Sequence, residues 1–191
     1  MFWRRFFGYY GALAFWKARI VHRLILVFVD IALHRRGPED LPSSQFLFLI
    51  ILGSYFFVGL FVLQIRESFS QALGLVFFDG TLYLFFVWAL LGMRGYLSRF
   101  VQTATALLGT EILLNLIVAP LLLWIEIIGD AASPPILPAL LFSLIIFWGI
   151  DIAGFVLSRA LQLTYFVGVL VMIGYFFASF SLRSLLFSVA S

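Results

Sequence analysis

Apolar residues in this chain fall into five long runs that are separated by short polar breaks. The runs cover about residues 45–65, 72–93, 101–128, 136–158 and 163–182. An α-helix that rises 1.5 Å per residue needs about 20 apolar residues to cross the ~30 Å hydrocarbon layer of a bilayer. Barrel strands are shorter and alternate in polarity. The pattern therefore predicts an all-α fold, a polytopic membrane bundle of five transmembrane helices.

Composition excludes an ordinary soluble domain. Of the 191 residues, 64% are hydrophobic and 11% are charged, whereas soluble proteins average about 45–50% apolar and about 25% charged residues. No polar stretch is long enough to form a second folded unit, so residues 37–191 are predicted to form one transmembrane domain. The chain has no cysteine, which excludes disulfides and thiolate metal sites.

The basic residues are distributed unevenly between the two sides of this topology. Ten of the twelve Lys and Arg residues lie on the side of the N-terminus: Arg4, Arg5, Lys17, Arg19, Arg23, Arg35, Arg36, Arg94, Arg99 and Arg159. Arg66 and Arg183 lie on the other side. Because basic residues are retained in the cytoplasm, this asymmetry predicts a cytoplasmic N-terminus and an outer, periplasmic C-terminus. We therefore expect a multi-pass protein of the inner cell membrane.

Residues 1–36 combine basic and aromatic side chains ahead of the first span. Their apolar stretch 24–33 is too short to cross a bilayer and contains Asp30. We predict one or two amphipathic helices that lie in the inner interface and dock on the bundle, with a short or re-entrant sixth span as the alternative. Nucleic acid is not an expected partner. The candidates for binding lipid phosphates or a protein partner are Arg4, Arg5, Lys17, Arg19, Arg23, Arg35, Arg36, Glu39 and Asp40.

Four acidic or amide side chains lie deep inside the predicted spans: Asp79, Glu111, Asn115 and Asp151. Such residues are costly in lipid and usually face the interior of a bundle. Measured from the cytoplasmic ends, Glu111 and Asp151 lie ~15 and ~12 Å deep, and Asp79 and Asn115 each lie ~21 Å deep. We expect two polar layers on spans two, three and four, without a basic partner in mid-span. Two interpretations remain open: a proton- or cation-responsive site, or hydrogen bonds that hold the helices together.

Small residues also recur four positions apart within the spans. Such pairs let two helix backbones approach closely, so we expect packing faces within the chain. The pairs are Thr105 with Gly109, Ala106 with Thr110, Gly149 with Ala153, Gly154 with Ser158, and Gly174 with Ala178.

The sequence does not match the templates of membrane enzymes. Both histidines, His22 and His34, lie outside the predicted spans, so a zinc triad or a histidine-activated nucleophile is not expected within the membrane. The chain has no G-x-S-x-G, P-loop or H-E-x-x-H motif. We therefore predict a protein without enzymatic activity and without a cofactor.

A hydrophilic string, residues 34–44, stands just before the first span. It contains Gly37-Pro38 and the acidic Glu39-Asp40, with Asp40-Leu41 followed by Pro42. Together with a cytoplasmic N-terminus, five closely spaced spans and an outer C-terminus, this string resembles the Yip family, and more closely its bacterial members. Eukaryotic Yip proteins carry an Asp-Leu-Tyr-Gly-Pro motif, bind Rab-type GTPases and shape or traffic membranes.

The resemblance implies a scaffold or accessory protein that acts on a protein or lipid partner, or as a homo-oligomer, through residues 37–44 and the basic segment. The alternative is a small proton- or cation-coupled transporter or channel that uses the intramembrane acids. A carrier needs a cavity that reaches those acids, whereas a scaffold is expected to seal them among helices.

Overall fold

The structure is a computed structural model that describes residues 22–128 and 136–187. These residues form helices, and no β-strand occurs among them. A short helix, α1, occupies residues 22–32 at the start of the described part. The longer helices that follow are α2 (Gln45–Leu63), α3 (Phe69–Met93), α4 (Phe100–Ile128), α5 (Ile136–Leu161) and α6 (Tyr165–Phe187).

Helices α2 to α6 are each long and apolar enough to cross a membrane, which confirms the predicted bundle of five spans. The predicted and observed bounds differ most at the end of α6, which continues to Phe187 instead of ending near residue 182. Arg183 therefore lies within the helix instead of in a polar tail behind it. This difference matters because it changes which charges reach the interior of the bundle.

Side-chain caps and one tight turn fix the ends of several helices. Ser44 and Ser68 cap α2 and α3, because each side chain accepts a backbone N–H from the first turn of its helix. At the end of α5, Gln162 adopts a left-handed φ of 54°, and the Leu163 N–H donates to the Ser158 carbonyl over 2.8 Å. This C-terminal motif ends α5 abruptly and turns the chain directly into α6.

Helix α4 forms the centre of the bundle at the end that carries Arg94, Arg99 and Arg159, which we call the basic end. All residues from 103 to 110 are buried, as expected for a helix enclosed on every side. The threonine hydroxyls in this stretch donate to carbonyls of their own helix, so they add no unpaired polar group: Thr103, Thr105 and Thr110.

The outer surface of the bundle is apolar along its length. Every long helix exposes large hydrophobic side chains, with between 61% and 79% of the surface accessible at Phe57, Phe85, Ile127, Phe147 and Phe166. Such a surface is stable in hydrocarbon and unfavourable in water. The protein is therefore a multi-pass membrane protein.

Helix α1 docks on α4 and α5 with its last turns buried. Phe28, Ile31 and Ala32 are almost fully enclosed, and the Phe28 ring lies directly against Gly109. The Trp148 Nε1–H donates to the Ala32 carbonyl over 3.3 Å. Because Gly109 is nine residues inside α4, the Phe28 ring lies at a depth of about 14 Å from the start of that span.

The remainder of the N-terminal segment lies outside the described residues. This applies to residues 1–21, which include Arg4, Arg5, Lys17 and Arg19. In the described part, Ile25 and Leu26 on the outward side of α1 are about half exposed, at 47% each. The outward side of α1 therefore carries apolar residues at these two positions, beside the exposed Arg23.

Candidate functional site

A cavity of about 350 Å³ lies between the membrane-spanning helices. Its depth follows from Glu111, which is eleven residues inside α4 and so about 16 Å from the basic end. Helices α2 to α6 all contribute to its wall. The polar lining consists of Tyr55, Asp79, Tyr83, Glu111, Asn115, Tyr175, Ser179 and Arg183.

The cavity brings together three of the four polar residues that the sequence singled out. Asp79 from α3 and the pair Glu111 and Asn115 from α4 all line it. Residues of α5 complete this side of the wall, so spans two, three and four do face one another as predicted. The two acids and the amide therefore belong to one site.

Asp151 does not belong to this site, and the predicted layer of Glu111 with Asp151 is wrong. On α5 the cavity is lined by Gly149, Ile150 and Ala153. Asp151 follows Gly149 by two residues, which is about 200° around a helix. The equal-depth argument fixed the height of Asp151 but not the direction in which it points.

The expectation that the intramembrane acids lack a basic partner is wrong for Asp79, whose partner Arg183 comes from near the end of α6. The Arg183 Nη1 lies 3.6 Å from the Asp79 Oδ2, and their side chains are 38% and 33% exposed. Residues Phe176, Ser179 and Arg183 share one face of α6 at helical spacing and all line the cavity. The cavity therefore reaches the protein surface beside an ion pair between α3 and α6.

Glu111 and Asn115 have no such partner. Neither side chain forms an ion pair or a hydrogen bond with any residue in 22–128 or 136–187. Tyr83 is 6% exposed, and its buried Oη also has no hydrogen-bond partner among these residues. Because nearly all buried polar atoms in folded proteins are hydrogen-bonded, the Tyr83 hydroxyl indicates a place for a ligand.

Aromatic side chains form much of the remaining wall. The Tyr83 and Tyr175 rings lie 5.4 Å apart, and Phe86 stacks on Tyr175 at 4.4 Å. Tyr55, Tyr83 and Tyr175 line the same cavity as Glu111. Tyr83 lies on α3 and Tyr175 on α6, and spacing within one span does not specify which helices face one another.

A second polar cluster contains Asp151 on the other side of α5. The Tyr165 hydroxyl donates to the Asp151 Oδ1, and the His34 Nε2 lies 3.4 Å from Oδ2, though without the geometry of a hydrogen bond. His34 follows α1 in a left-handed conformation with φ 59°, which is uncommon outside glycine. The cluster links α1, α5 and α6, and the sequence did not predict it.

Of the predicted partner-binding residues in the described part, Glu39 and Asp40 lie at the basic end. Glu39 pairs with Arg159 at 2.7 Å, and Asp40 accepts the Gly37 N–H at 3.0 Å. Arg36 pairs with Asp30 at 3.2 Å. Arg23 and Arg35 are exposed. The string 37–44 is therefore held against the bundle, and its role as a docking segment stays a prediction.

These features define a class, the multi-pass α-helical membrane proteins with a polar cavity between their spans. Comparison of the chain with family models, with curated proteins and with solved structures finds no match. The resemblance to the Yip family thus stays a prediction.

Proposed function

We propose that this protein is a membrane carrier that exchanges a small cation for a proton at Glu111. One observation carries the proposal: a cavity between the spans reaches Asp79, Glu111 and Asn115. A carrier needs such a cavity, whereas a protein that uses its polar residues only to join helices has no need of one. The scaffold function expected from the Yip resemblance is therefore the less favoured alternative.

The charged side chains of the cavity indicate whether its ligand is a cation or an anion. Asp79 and Arg183 compensate one another, so Glu111 is the acid that remains without a basic partner. A carboxylate in a low-dielectric interior is stable only when a cation or a proton compensates it. Exchange of these two occupants at one carboxyl couples cation movement to proton movement in the opposite direction.

The packing gives the site unequal access from its two ends. Towards the basic end, the cavity is closed by the buried residues 103–110 of α4 and by Phe28 of α1, which lies against Gly109. On the other side of the cavity, the side chains of the Asp79–Arg183 ion pair are partly exposed. We interpret this arrangement as one of the two states of a carrier, with opening at the basic end required for the other.

We further propose the orientation that the positive-inside rule predicts, with the basic end in the cytoplasm of a cell with an inner membrane. In this orientation the observed state faces outward. Residues 37–44, held against Arg159 by Glu39, lie on the cytoplasmic side, where they are available to a lipid or protein partner.

Flux through purified protein in proteoliposomes tests the proposal. An outward proton gradient and an internal pH dye report proton release when cations are added outside, with sodium, potassium and small alkylammonium ions as probes. We expect cation-dependent proton release with wild type and its loss in Glu111→Gln. Glu126→Gln is the matched control, because Glu126 lies at the opposite end and pairs with Arg66 at 3.4 Å outside the cavity.

Two results contradict the proposal. The first is the absence of cation-dependent proton movement in wild-type vesicles under gradients of either direction. The second is undiminished movement in Glu111→Gln.

A further inference from the structure

We infer that the cavity binds a protonated amine with an apolar body, not a metal ion or an anion. This inference rests on the proposed function and specifies its substrate class. It depends on three properties of the cavity: the ligands available around Glu111, the aromatic wall, and the unpaired hydroxyl of Tyr83.

The supply of oxygen ligands is too small for a bare metal ion. Hard cations such as Ca²⁺ take six to eight oxygen ligands, and Mg²⁺ prefers an octahedral shell. Near the uncompensated charge the cavity offers the Glu111 carboxylate and the Asn115 amide oxygen. No cluster of three or more metal-ligating side chains occurs in the described part of the chain. The volume of about 350 Å³ also far exceeds that of one ion and lies within the range of small-molecule sites.

The aromatic wall matches an organic cation. The rings of Tyr55, Tyr83, Tyr175, Phe142 and Phe176 line the cavity. The face of an aromatic ring attracts a cation, and such contacts strengthen where water is excluded. Aliphatic side chains, including Leu114, Ile145 and Met172, line the rest. This lining is suited to hydrocarbon groups that are attached to a charged nitrogen.

The Tyr83 hydroxyl distinguishes an amine from a quaternary ammonium ion. Tyr83 lines the cavity, and its buried oxygen has no hydrogen-bond partner among the described residues. A protonated amine has N–H groups that donate to this oxygen and to Glu111, whereas a quaternary ammonium ion has none. An anion is disfavoured because Arg183, the basic residue of the wall, is already paired with Asp79.

Equilibrium binding to the detergent-purified full-length protein tests the inference. The probe is phenethylammonium, compared with its N,N,N-trimethyl derivative, with the neutral isostere propylbenzene, and with sodium and magnesium ions. We expect the primary amine to bind most tightly, the trimethyl derivative more weakly, and the other three not measurably. Glu111→Gln should abolish binding of both organic cations, and Glu126→Gln should leave it unchanged.

Two variants separate the hydroxyl from the rings. Tyr83→Phe keeps the ring and should weaken binding of the primary amine about tenfold, without affecting the trimethyl derivative. Tyr175→Leu removes a ring and should weaken both cations about fivefold, whereas Tyr175→Phe should not. A variant that misfolds is recognised by its elution in size-exclusion chromatography and is replaced by the next conservative substitution at the same position.

Failure of this inference differs from failure of the proposed function. Binding of propylbenzene as tight as that of the amine overturns the inference, because the cavity then recognises only an apolar body. Binding of sodium or magnesium in preference to the amine also overturns it. If a metal ion nevertheless drives proton release from proteoliposomes, the exchange function stands and only the substrate class is wrong. If no cation drives proton release, the exchange function itself fails.

Discussion

Helices α5 and α6 approach one another closely at Gly154 and Gly168, and this contact gives a quantitative test of the fold. A methyl group on Gly168 would collide with the Gly154 carbonyl oxygen and would lie 2.8 Å from the Cβ of Ser158. Neither contact involves the flexible end of a side chain. The two helices must therefore separate to accommodate even an alanine at this position.

The magnitude follows from two opposing terms. Overpacking of a tight interior costs about 1–3 kcal/mol, and contact with backbone atoms favours the upper end of this range. Alanine regains about 1 kcal/mol over glycine in helix propensity. Gly168→Ala should therefore lower the free energy of unfolding by about 2 kcal/mol. Gly174→Ala is the matched control on the same helix, because nothing lies within 4 Å of its added methyl group, and it should be neutral or stabilising by up to about 1 kcal/mol.

Titration of the purified variants with SDS in mixed micelles, followed by helical circular dichroism and tryptophan fluorescence, measures the difference. We expect the two variants to differ by about 3 kcal/mol in the free energy of unfolding. Equal stabilities would refute the packing of α5 on α6. The position of Arg183 against Asp79 would then also lose its support, because α6 carries Arg183 into the cavity.

Two further predictions concern the charges. Asp79→Asn should lower the free energy of unfolding by about 1–2 kcal/mol, because it leaves Arg183 without its counter-charge in the membrane. The double variant with Arg183→Gln should recover most of this loss, and a double variant as unstable as the sum of its single changes would contradict the pair. The second prediction is topological: in spheroplasts, an impermeant thiol reagent should label a cysteine at Ser133 and not one at Ser98, and the reverse pattern would invert the proposed orientation.

The number and position of the spans could be predicted because the length of an apolar run is set by the thickness of the bilayer. Short local motifs, such as a capping serine, also marked the ends of several helices. Ser44, directly before the first apolar run, caps α2, and Gly154 with Ser158 does form a packing face as predicted. The prediction for Gly174 with Ala178 is wrong in the described residues, because no side chain packs against Gly174. Spacing identifies a possible close approach but does not identify the helix that makes it.

The composition of the cavity was only partly predictable for a related reason. Asp79, Glu111 and Asn115 are unusual in a span, so sequence alone identified them as candidates. Arg183 was missed because the end of an apolar run does not mark the end of a helix, and α6 continues one turn further. Tyr55 was missed because a tyrosine in a span is recognised as part of a site only when the facing residues on the other helices are known.

Asp151 contributes to the cavity without lining it, by fixing the orientation of α5. Gly149 and Ala153 are one turn apart and present little side chain to the cavity, which leaves space beside Glu111. The rotation of α5 decides whether these small residues or the bulky ones face inward. On the other side of the helix, Asp151 is held by Tyr165 of α6 and approached by His34 behind α1. We expect a carboxyl held between two neighbouring segments to resist rotation of α5, and so to preserve the open volume that the proposed exchange at Glu111 requires.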